Sequence, residues 1–270
     1  MSKPSPDAAP LGAGNARVKE ARKLSRRSVR TERRLFLAEG WKSLAEAAGV
    51  PDCVVEVFAT DAAAAEHADL LDTLAVPVHR VDARAAASLA DAVTPQGLVA
   101  VCRFLDVELA ALTSSGASPL VVCADVRDPG NAGTIIRTAD AVDAAGVVLA
   151  GTSVDPYNEK TVRATVGSLF HVGLTVDSDT ARVVDHLKQA GYGVLAADGA
   201  GEVDLFDAAE VLTGKVAWLF GNEAWGLPSD LAALADHRVR IPIPGRAESL
   251  NLAAAAAVCL YATLPERTHG

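Results

Sequence analysis

Two loops near the carboxyl end of the chain carry the residue types of a ligand site. One follows an apolar, strand-like run and has the sequence GNEAWGLP, which offers an amide at Asn222 and a carboxylate at Glu223. The other, PGRAES, leads into a helix of small residues, so we expect Ser249 and Asn251 at its first turn, where backbone N–H groups lack helical partners. Open α/β sheets bind ligands in such loops. The alternative for Glu223 is a helix-entry carboxylate favoured by the helix dipole.

A third segment, DVRDPGNAGTIIRTADA, also has the sequence of a loop that could bind a ligand between a strand and a helix. Its strand pattern stops at Val126, and after a Pro-Gly turn Asn131 begins a helix in which Gly133 admits a ligand close to the backbone. Arg137 shares a helix face with Gly133, and we expect it to extend toward the ligand end. The alternative is an exposed arginine paired with Asp140.

Strand and helix patterns alternate along the chain and would position these loops. They predict a small α/β unit that closes near residue 104, and a larger one with strands at 120–126, 147–150, 172–176, 192–196, 216–220 and 239–243. Such alternation predicts a mostly parallel sheet with helices on both faces. We expect a disordered tail over 1–14, a first domain over 15–105, a linker over 106–118 that ends in the flexible sequence TSSGASP, and a second domain over 119–270.

The charge is unevenly distributed. The chain carries −9 overall, yet residues 17–34 hold nine lysines and arginines against two glutamates. The basic residues surround the predicted helix, so we expect no face of it to be buried and expect contact with solvent or with phosphate groups. The residues that we assign to RNA are Arg17, Lys19, Arg22, Lys23, Arg26, Arg27 and Arg30. The alternative is a solvated helix that touches no RNA.

Several classes of protein are excluded by composition. The four cysteines are widely spaced and mostly flanked by apolar residues, which indicates reduced core thiols in a cytoplasmic protein. We see no secretory signal, no membrane-spanning run and no metal-spaced Cys/His cluster. The sequence GYGVLA imitates a dinucleotide fingerprint, but it precedes a strand instead of following one.

Three motifs stand in a fixed order: NAGTIIRTADA, LFGNEAWGLP and IPIPGRAESLNLAAAAAVCLY. Together they resemble the signature motifs of the SpoU/TrmH family of RNA ribose 2′-O-methyltransferases, in the SPOUT superfamily. The similarity covers about Leu120 to Leu264, and the preceding unit resembles the family's RNA substrate-binding domain. The resemblance implies a deep trefoil knot at the carboxyl end, a homodimer, and S-adenosylmethionine in the knotted loops. Pattern arguments alone would exclude a knot, because knots are rare.

The resemblance also implies roles for single residues. The positions that match the family's catalytic centre are Asn131, Arg137, Glu223, Ser249 and Asn251. The positions that match its cofactor site are Gly221, Ile241 and Leu250, with Gly226 shaping the loop and Asn251 nearby. Arg163, in KTVRATVGSLF, matches an arginine that the family uses toward RNA, in some cases across the dimer.

Methyl transfer from a sulfonium requires the ribose 2′-oxygen to lie in line behind the methyl carbon. The family's motif arginine, here Arg137, is usually described as the base, but a guanidinium stays protonated. We therefore expect Arg137 to bind the adjacent phosphate and stabilise a developing alkoxide, while Glu223 and Asn131 fix its orientation.

The sequence thus predicts a cytoplasmic, dimeric methyltransferase that acts on structured RNA, with ribosomal RNA favoured over transfer RNA and with no metal or membrane partner. One alternative is a non-catalytic RNA-binding or ribosome-assembly protein on the same scaffold, which the intact Arg137, Glu223 and Asn251 disfavour. Another is a base methyltransferase of the same superfamily, which the Asn-to-Arg pattern of the first motif disfavours.

Overall fold

The computed structural model describes residues 9–264. The chain divides into two compact units. The first contains the chain up to Leu105 together with Tyr157–Phe170, and the second contains Asp106–Pro156 and the chain from His171 onward.

The helices and strands follow the predicted alternation. In chain order they are α1 (Ala16–Arg22), α2 (Arg27–Arg33), β1 (Leu35–Glu39), α3 (Trp41–Ala48), β2 (Val54–Ala59), α4 (Asp61–Glu66), α5 (Ala68–Thr73), β3 (Val78–Arg80), α6 (Ala83–Leu89), β4 (Leu98–Arg103), α7 (Leu109–Ser114), β5 (Leu120–Ala124), α8 (Pro129–Ala141), β6 (Gly146–Ala150), α9 (Glu159–Thr165), β7 (Leu174–Asp177), α10 (Thr180–Gln189), β8 (Gly193–Ala197), β9 (Val203–Asp204), β10 (Val216–Phe220), α11 (Ser229–Ala232), β11 (His237–Arg240) and α12 (Leu252–Ala262). Short 3-10 helices cover Lys23–Ser25, Ser168–Phe170 and Leu205–Asp207.

The first unit contains a four-stranded sheet in the order β1-β4-β2-β3. Strand β4 is antiparallel to both β1 and β2, and β3 is parallel to β2. Apolar side chains of α1 and of the 3-10 turn after it, including Val18 and Leu24, pack in one core cluster with Phe58 and Leu89.

The basic segment differs from the prediction. It is two short α-helices joined by the 3-10 turn Lys23–Ser25 and by Arg26, where the backbone is extended, and the segment buries Val18, Ala21 and Leu24. Arg30 is only 3% exposed. Its Nη1 donates to the carbonyl oxygens of Leu24 and Ser25, each at 2.8 Å. The expectation that no face would be buried was wrong, because apolar residues spaced through the segment pack into the core and Arg30 closes the joint between the two helices.

Two further segments are more ordered than predicted. Within the expected tail, the amide of Leu11 donates to the carbonyl of Arg80 at 2.8 Å, and Leu11 forms a parallel bridge with Val81. Residues 1–8 of that tail lie outside the described residues. The expected linker contains α7, which buries Leu109 and Leu112 in the core of the second unit.

The stretch from Tyr157 to Phe170, which we placed in the second domain, belongs to the first compact unit. Its aromatic rings account for this. The Tyr157 ring lies 4.8 Å from that of Phe36 and 3.8 Å from that of Phe104, measured between centroids. The Phe170 ring lies 6.2 Å from that of Phe36.

The second unit contains a seven-stranded sheet in the order β7-β6-β5-β10-β8-β11-β9. Every strand pairing in it is parallel, which confirms the predicted sheet. Alternate strand residues face opposite sides. Ala217 and Leu219 of β10 pack in one cluster with residues of α7 and α10. Trp218, which faces the other side, donates from Nε1 to Thr263 Oγ1 just beyond α12 at 2.8 Å. Helices therefore cover both faces.

All four cysteines are buried and unbridged. Burial raises the pKa of Cys123 and of Cys259 to about 12, so both are protonated, unreactive thiols. Within residues 9–264, no helix is long and apolar enough to span a membrane. The same part of the chain contains no group of three or more His, Cys, Asp or Glu side chains placed to hold a metal ion.

Candidate active site

The loops after β5 and β10 are joined directly at the carboxyl edge of the parallel sheet. These two strands are neighbours in that sheet. The side chain of Asn222, which is 5% exposed, donates from Nδ2 to the carbonyl oxygen of Asp125 at 2.7 Å. Its Oδ1 accepts from the amide of Ala224 at 2.8 Å. Asn222 thus fixes the start of both loops relative to each other.

Glu223 is the centre of the hydrogen-bond network. Its Oε2 accepts from the amide of Arg127 at 3.2 Å, and its Oε1 accepts from the amide of Asp128 at 2.9 Å and from Asn131 Nδ2 at 3.2 Å. Burial raises the pKa of the Glu223 carboxyl, but these bonds and one from its own amide outweigh burial and hold the pKa below its ordinary value. Glu223 is therefore ionised at neutral pH, with its oxygens engaged.

Asn131 and Asn251 extend this network into the third loop. Asn251 Nδ2 donates to Asn131 Oδ1 at 3.0 Å. Asn251 Oδ1 accepts from the amides of Ala253 and Ala254 at 2.9 and 3.3 Å, which makes Asn251 the N-cap of α12. The side-chain amides of Asn131 and Asn251 therefore each have one possible orientation. The ionised Glu223 can only accept a hydrogen bond, and the backbone N–H groups at the start of α12 can only donate one. The network ties together three loops that are far apart in sequence.

Arg137 lies on α8 and is exposed. In the described part of the chain its guanidinium has no hydrogen bond or ion pair, and Asp140 instead accepts from His171 Nδ1 at 3.1 Å. The alternative of an Arg137–Asp140 pair is therefore absent. Within residues 9–264, Glu223 and Asn131 make no direct bond to Arg137, because they bond to each other and to loop amides, so the orientation of Arg137 by these residues stays a prediction that would act through the start of α8.

The remaining predicted site residues lie on the loops themselves. Asn222 and Gly226 exchange two backbone hydrogen bonds of 2.9 Å, which closes a tight turn after Gly221. Gly226 has φ of 69°, in the left-handed region. Ile241 is partly buried and Leu250 is 40% exposed. Ser249 is exposed and precedes α12, so the expectation that it lies in the first turn of that helix was wrong.

The predicted RNA-binding residues divide into two groups. Four are engaged within the first unit: Arg17 with Glu56 at 2.8 Å, Lys23 with Glu20 at 2.6 Å, Arg163 with Asp91 at 3.1 Å, and Arg30 with carbonyl oxygens. Four are exposed and have neither an ion-pair partner nor a hydrogen-bond acceptor for their side chains within residues 9–264: Lys19, Arg22, Arg26 and Arg27. Only the second group is available to RNA phosphates without breaking an existing contact.

Sequence reasoning missed one residue that builds the site, Asp128, and the structural role of another, Asn222. Asp128 caps α8 by accepting from the amide of Asn131 at 2.8 Å. An acidic residue before a Pro-Gly pair at a helix start is a recognisable signal for this role. Asn222 was noted only for its amide, and nothing local to it indicated a bond to the backbone of Asp125.

Comparison with known proteins identifies the same family and the same kind of substrate-binding domain that the sequence motifs resemble. Residues 118–261 match the model of the SpoU rRNA Methylase family, and residues 15–100 match the MRM3-like substrate binding domain. The chain is 33% identical over 252 residues to the 23S rRNA (guanosine(2553)-2′-O)-methyltransferase RlmP of Bacillus subtilis, covering 92% of this chain and 96% of that protein. It is 38% identical over 147 residues to a 23S rRNA (uridine(2479)-2′-O)-methyltransferase of Streptomyces viridochromogenes, covering 53% of this chain and 50% of that protein.

Two solved structures are also similar along nearly their whole length. The AdoMet-bound rRNA methyltransferase of Sinorhizobium meliloti has a TM-score of 0.82 and 34% identity, and the alignment covers 92% of this chain and 94% of that one. AviRb of Streptomyces viridochromogenes, in complex with AdoMet, has a TM-score of 0.83 and 30% identity, with coverage of 92% and 97%. The resemblance of the three motifs is thereby confirmed, and this chain belongs to the SpoU rRNA methylase family.

Proposed function

We propose that this chain transfers a methyl group from S-adenosylmethionine to a ribose 2′-hydroxyl of ribosomal RNA, in the cytoplasm and as a homodimer. The observation that carries the proposal is the bonded chain Glu223–Asn131–Asn251, which fixes three loops at the sheet edge, while the Arg137 guanidinium on α8 has no partner among residues 9–264. The named relatives that methylate 23S rRNA favour ribosomal RNA as the substrate.

Arg137 is the residue that we assign to the reacting groups. A free, permanently charged guanidinium can bind a phosphate of the RNA bidentately and stabilise the negative charge that develops on the 2′-oxygen. The hydroxyl proton is released to water as the new oxygen–carbon bond forms, so this account needs no protein base. Ser249, an exposed residue of the loop before α12, completes the proposed centre.

Glu223, Asn131 and Asn251 are positioning residues in this proposal. A carboxylate whose pKa is lowered and whose oxygens already accept several hydrogen bonds is a poor base. Its bonds instead hold the amino-terminal end of α8 in place. The side chains of Asn131 and Asn251 pass this constraint to the loop before α12.

The same loops fit S-adenosylmethionine. Gly221 permits the backbone of the turn to fold closely, since a Cβ at this position would collide with the carbonyl group of Gly226. The partly exposed Ile241 and Leu250 provide apolar surface in the neighbouring loop. When bound, the cofactor supplies an electrophilic methyl group on sulfur, and the chain's part is to hold the acceptor oxygen in line with it.

Gly221→Ala is expected to lower the unfolding free energy by about 1–3 kcal/mol and to weaken S-adenosylmethionine binding at least about 10-fold, because the added methyl overpacks the turn. The Cβ would also lie 2.5 Å from the Leu227 nitrogen. Calorimetric titration and urea unfolding measure the two effects. Gly14→Ala is the control, since a Cβ there also meets nothing within 4 Å and Gly14 belongs to the first unit, outside the loops assigned to the cofactor. Equal cofactor affinity in the two variants would contradict the assignment of Gly221.

Capture of RNA is assigned to the four basic residues that have no partner within the described part of the chain, Lys19, Arg22, Arg26 and Arg27. Replacing all four by alanine is expected to weaken rRNA binding strongly and to flatten its salt dependence, by about 0.7–0.9 in the log–log slope for each lost phosphate contact. Filter binding at several salt concentrations measures the slope. The control variant replaces Arg17 and Lys23, which already have acidic partners. A slope unchanged by the four substitutions would exclude these residues as phosphate contacts.

The homodimer is supported by α12. This helix is apolar on all sides, yet Tyr261 is 55% exposed, and Leu264 just after the helix is 37% exposed. A second copy of the chain packed on this helix would bury that surface. The trefoil knot, the domain boundaries and the part of Arg163 in RNA binding belong to the same proposal, by family similarity.

The test of the function is transfer of tritium from methyl-labelled S-adenosylmethionine to purified RNA. We expect label in unmodified ribosomal RNA, in a nucleotide that resists alkaline hydrolysis at its 3′ side, and none in transfer RNA. The competing function, a non-catalytic RNA-binding protein, predicts RNA binding without cofactor binding and without transfer. A methylated base in place of a methylated ribose would contradict the proposal in another way.

A further inference from the structure

Trp225 is a large aromatic side chain exposed beside the candidate site. It lies in the turn between β10 and α11, two residues after Glu223, and is 54% exposed. The chain has two other tryptophans. Trp218, on β10 just before this turn, is fully buried and hydrogen-bonded. Half of the Trp225 surface is therefore hydrated at the sheet edge where the substrate must bind.

The position of the indole is fixed by the site itself. The Arg127 guanidinium carbon lies 5.1 Å from the centre of the Trp225 ring, a cation–π arrangement. The amide of Arg127 donates to Glu223, and its Nη2 donates to Thr152 Oγ1 at 3.3 Å. The backbone of the turn is closed by the paired Asn222 and Gly226. A ring held in this way is preorganised, so little conformational entropy is lost when something stacks on it.

We propose that Trp225 is the stacking platform for the base of the nucleotide whose ribose is methylated, with Arg127 holding the ring. This inference rests on the proposed function and names a substrate contact that the family motifs leave open. Stacking on an aromatic ring holds a base by its face without selecting its hydrogen-bonding edge. It thereby fixes the attached ribose, which is what an enzyme that reacts at the 2′-oxygen requires.

The charge next to the ring favours RNA over the other candidate occupants. Arg127 attracts the phosphates that flank a base, whereas the sulfonium of S-adenosylmethionine is a cation and would be repelled. A second copy of the chain is accommodated by the exposed apolar surface at α12, in a different part of the second unit's sequence. We therefore commit to a nucleobase as the occupant.

The experiment is a double-mutant cycle that combines a substitution at Trp225 with removal of the base from the methylated nucleotide. It uses the full-length protein and the rRNA fragment labelled in the tritium assay, with either the normal base or an abasic ribose at the methylated nucleotide. Trp225→Ala is expected to lower kcat/KM on the normal fragment by about 10-fold or more, mainly through KM, as loss of one base–aromatic stack predicts. On the abasic fragment the same substitution is expected to change kcat/KM less than about 2-fold. Trp225→Phe should keep most of the wild-type kcat/KM on the normal fragment. Trp225→Leu, which is apolar but not aromatic, should lose about as much as Trp225→Ala.

Three outcomes would overturn the inference. An equal loss on normal and abasic RNA would show that Trp225 does not contact that base. A rise in the Kd for S-adenosylmethionine in Trp225→Ala would place the cofactor on the ring, and a change in oligomeric mass would place a second copy there. Absence of transfer by the wild-type chain to any rRNA would instead overturn the proposed function, so the two failures are distinguishable.

Discussion

Replacement of Arg137 by alanine is expected to lower the rate of methyl transfer by about 10²–10³-fold, the loss typical when one preorganised donor to a developing oxyanion is removed. Folding and cofactor affinity should be unchanged, because the exposed guanidinium has no protein partner within residues 9–264 that would be left unsatisfied. Single-turnover transfer at saturating RNA isolates the chemical step from binding and product release.

Two further variants sharpen this prediction. Arg137→Lys keeps the positive charge but loses the planar fork, so we expect it to recover only a small part of the rate. The matched control is Arg84→Ala, which removes an exposed arginine of the first unit and should transfer at the wild-type rate. Near-full turnover by Arg137→Lys would contradict bidentate phosphate binding, and near-full turnover by Arg137→Ala would remove Arg137 from the reaction.

The second large effect is expected for Glu223→Ala. This substitution removes the acceptor of the Arg127, Asp128 and Asn131 bonds at once. Charge-assisted hydrogen bonds contribute substantially when buried, but Glu223 is exposed and water competes, so we expect a loss of about 1–2 kcal/mol in unfolding free energy. The freed end of α8 misplaces Arg137, and we expect kcat to fall by about 10²-fold.

The pH dependence of the unfolding free energy, compared between wild type and Glu223→Gln, tests the same bonds separately. Because the pKa of Glu223 is lowered in the folded chain, the carboxylate stabilises the fold above its ordinary pKa and loses that contribution as the pH falls through the folded-state pKa. The stability difference between wild type and Glu223→Gln should therefore be fully present at neutral pH, decrease as the pH falls below the ordinary glutamate pKa, and be lost only below the lowered folded-state pKa. Urea unfolding over this range measures it, and a difference that persists at low pH would mean that ionisation of Glu223 is not what holds the loops.

Much of the second unit could be predicted from apolar patterning. Strand β10 has the bounds that the sequence predicted, because a fully buried parallel strand is a continuous apolar run between polar turns. Strand β9 was not predicted, because two residues at the edge of a sheet carry no periodic signal. Helix α11 has only four residues, and the turn before it is shaped by the pairing of Asn222 with Gly226 instead of by helix propensity.

The candidate site was predictable as a set of residues but not as a network. The family motifs point to Asn131, Glu223 and Asn251, and the structure joins them by direct hydrogen bonds. No local pattern indicates that Glu223 bonds to the loop before α8 instead of to Arg137. In the same way, Arg30 looked like one member of a basic run, whereas its burial depends on how two short helices meet. Such contacts depend on tertiary structure, which periodicity does not encode.

The most direct test of the central claim is a map of ribose 2′-O-methylation in ribosomal RNA from cells that lack the gene, complemented with wild type or with Arg137→Ala. We predict that one rRNA nucleotide loses its 2′-O-methyl group on deletion, regains it with the wild-type gene and does not regain it with Arg137→Ala. An unchanged map on deletion, or full restoration by Arg137→Ala, would contradict the account.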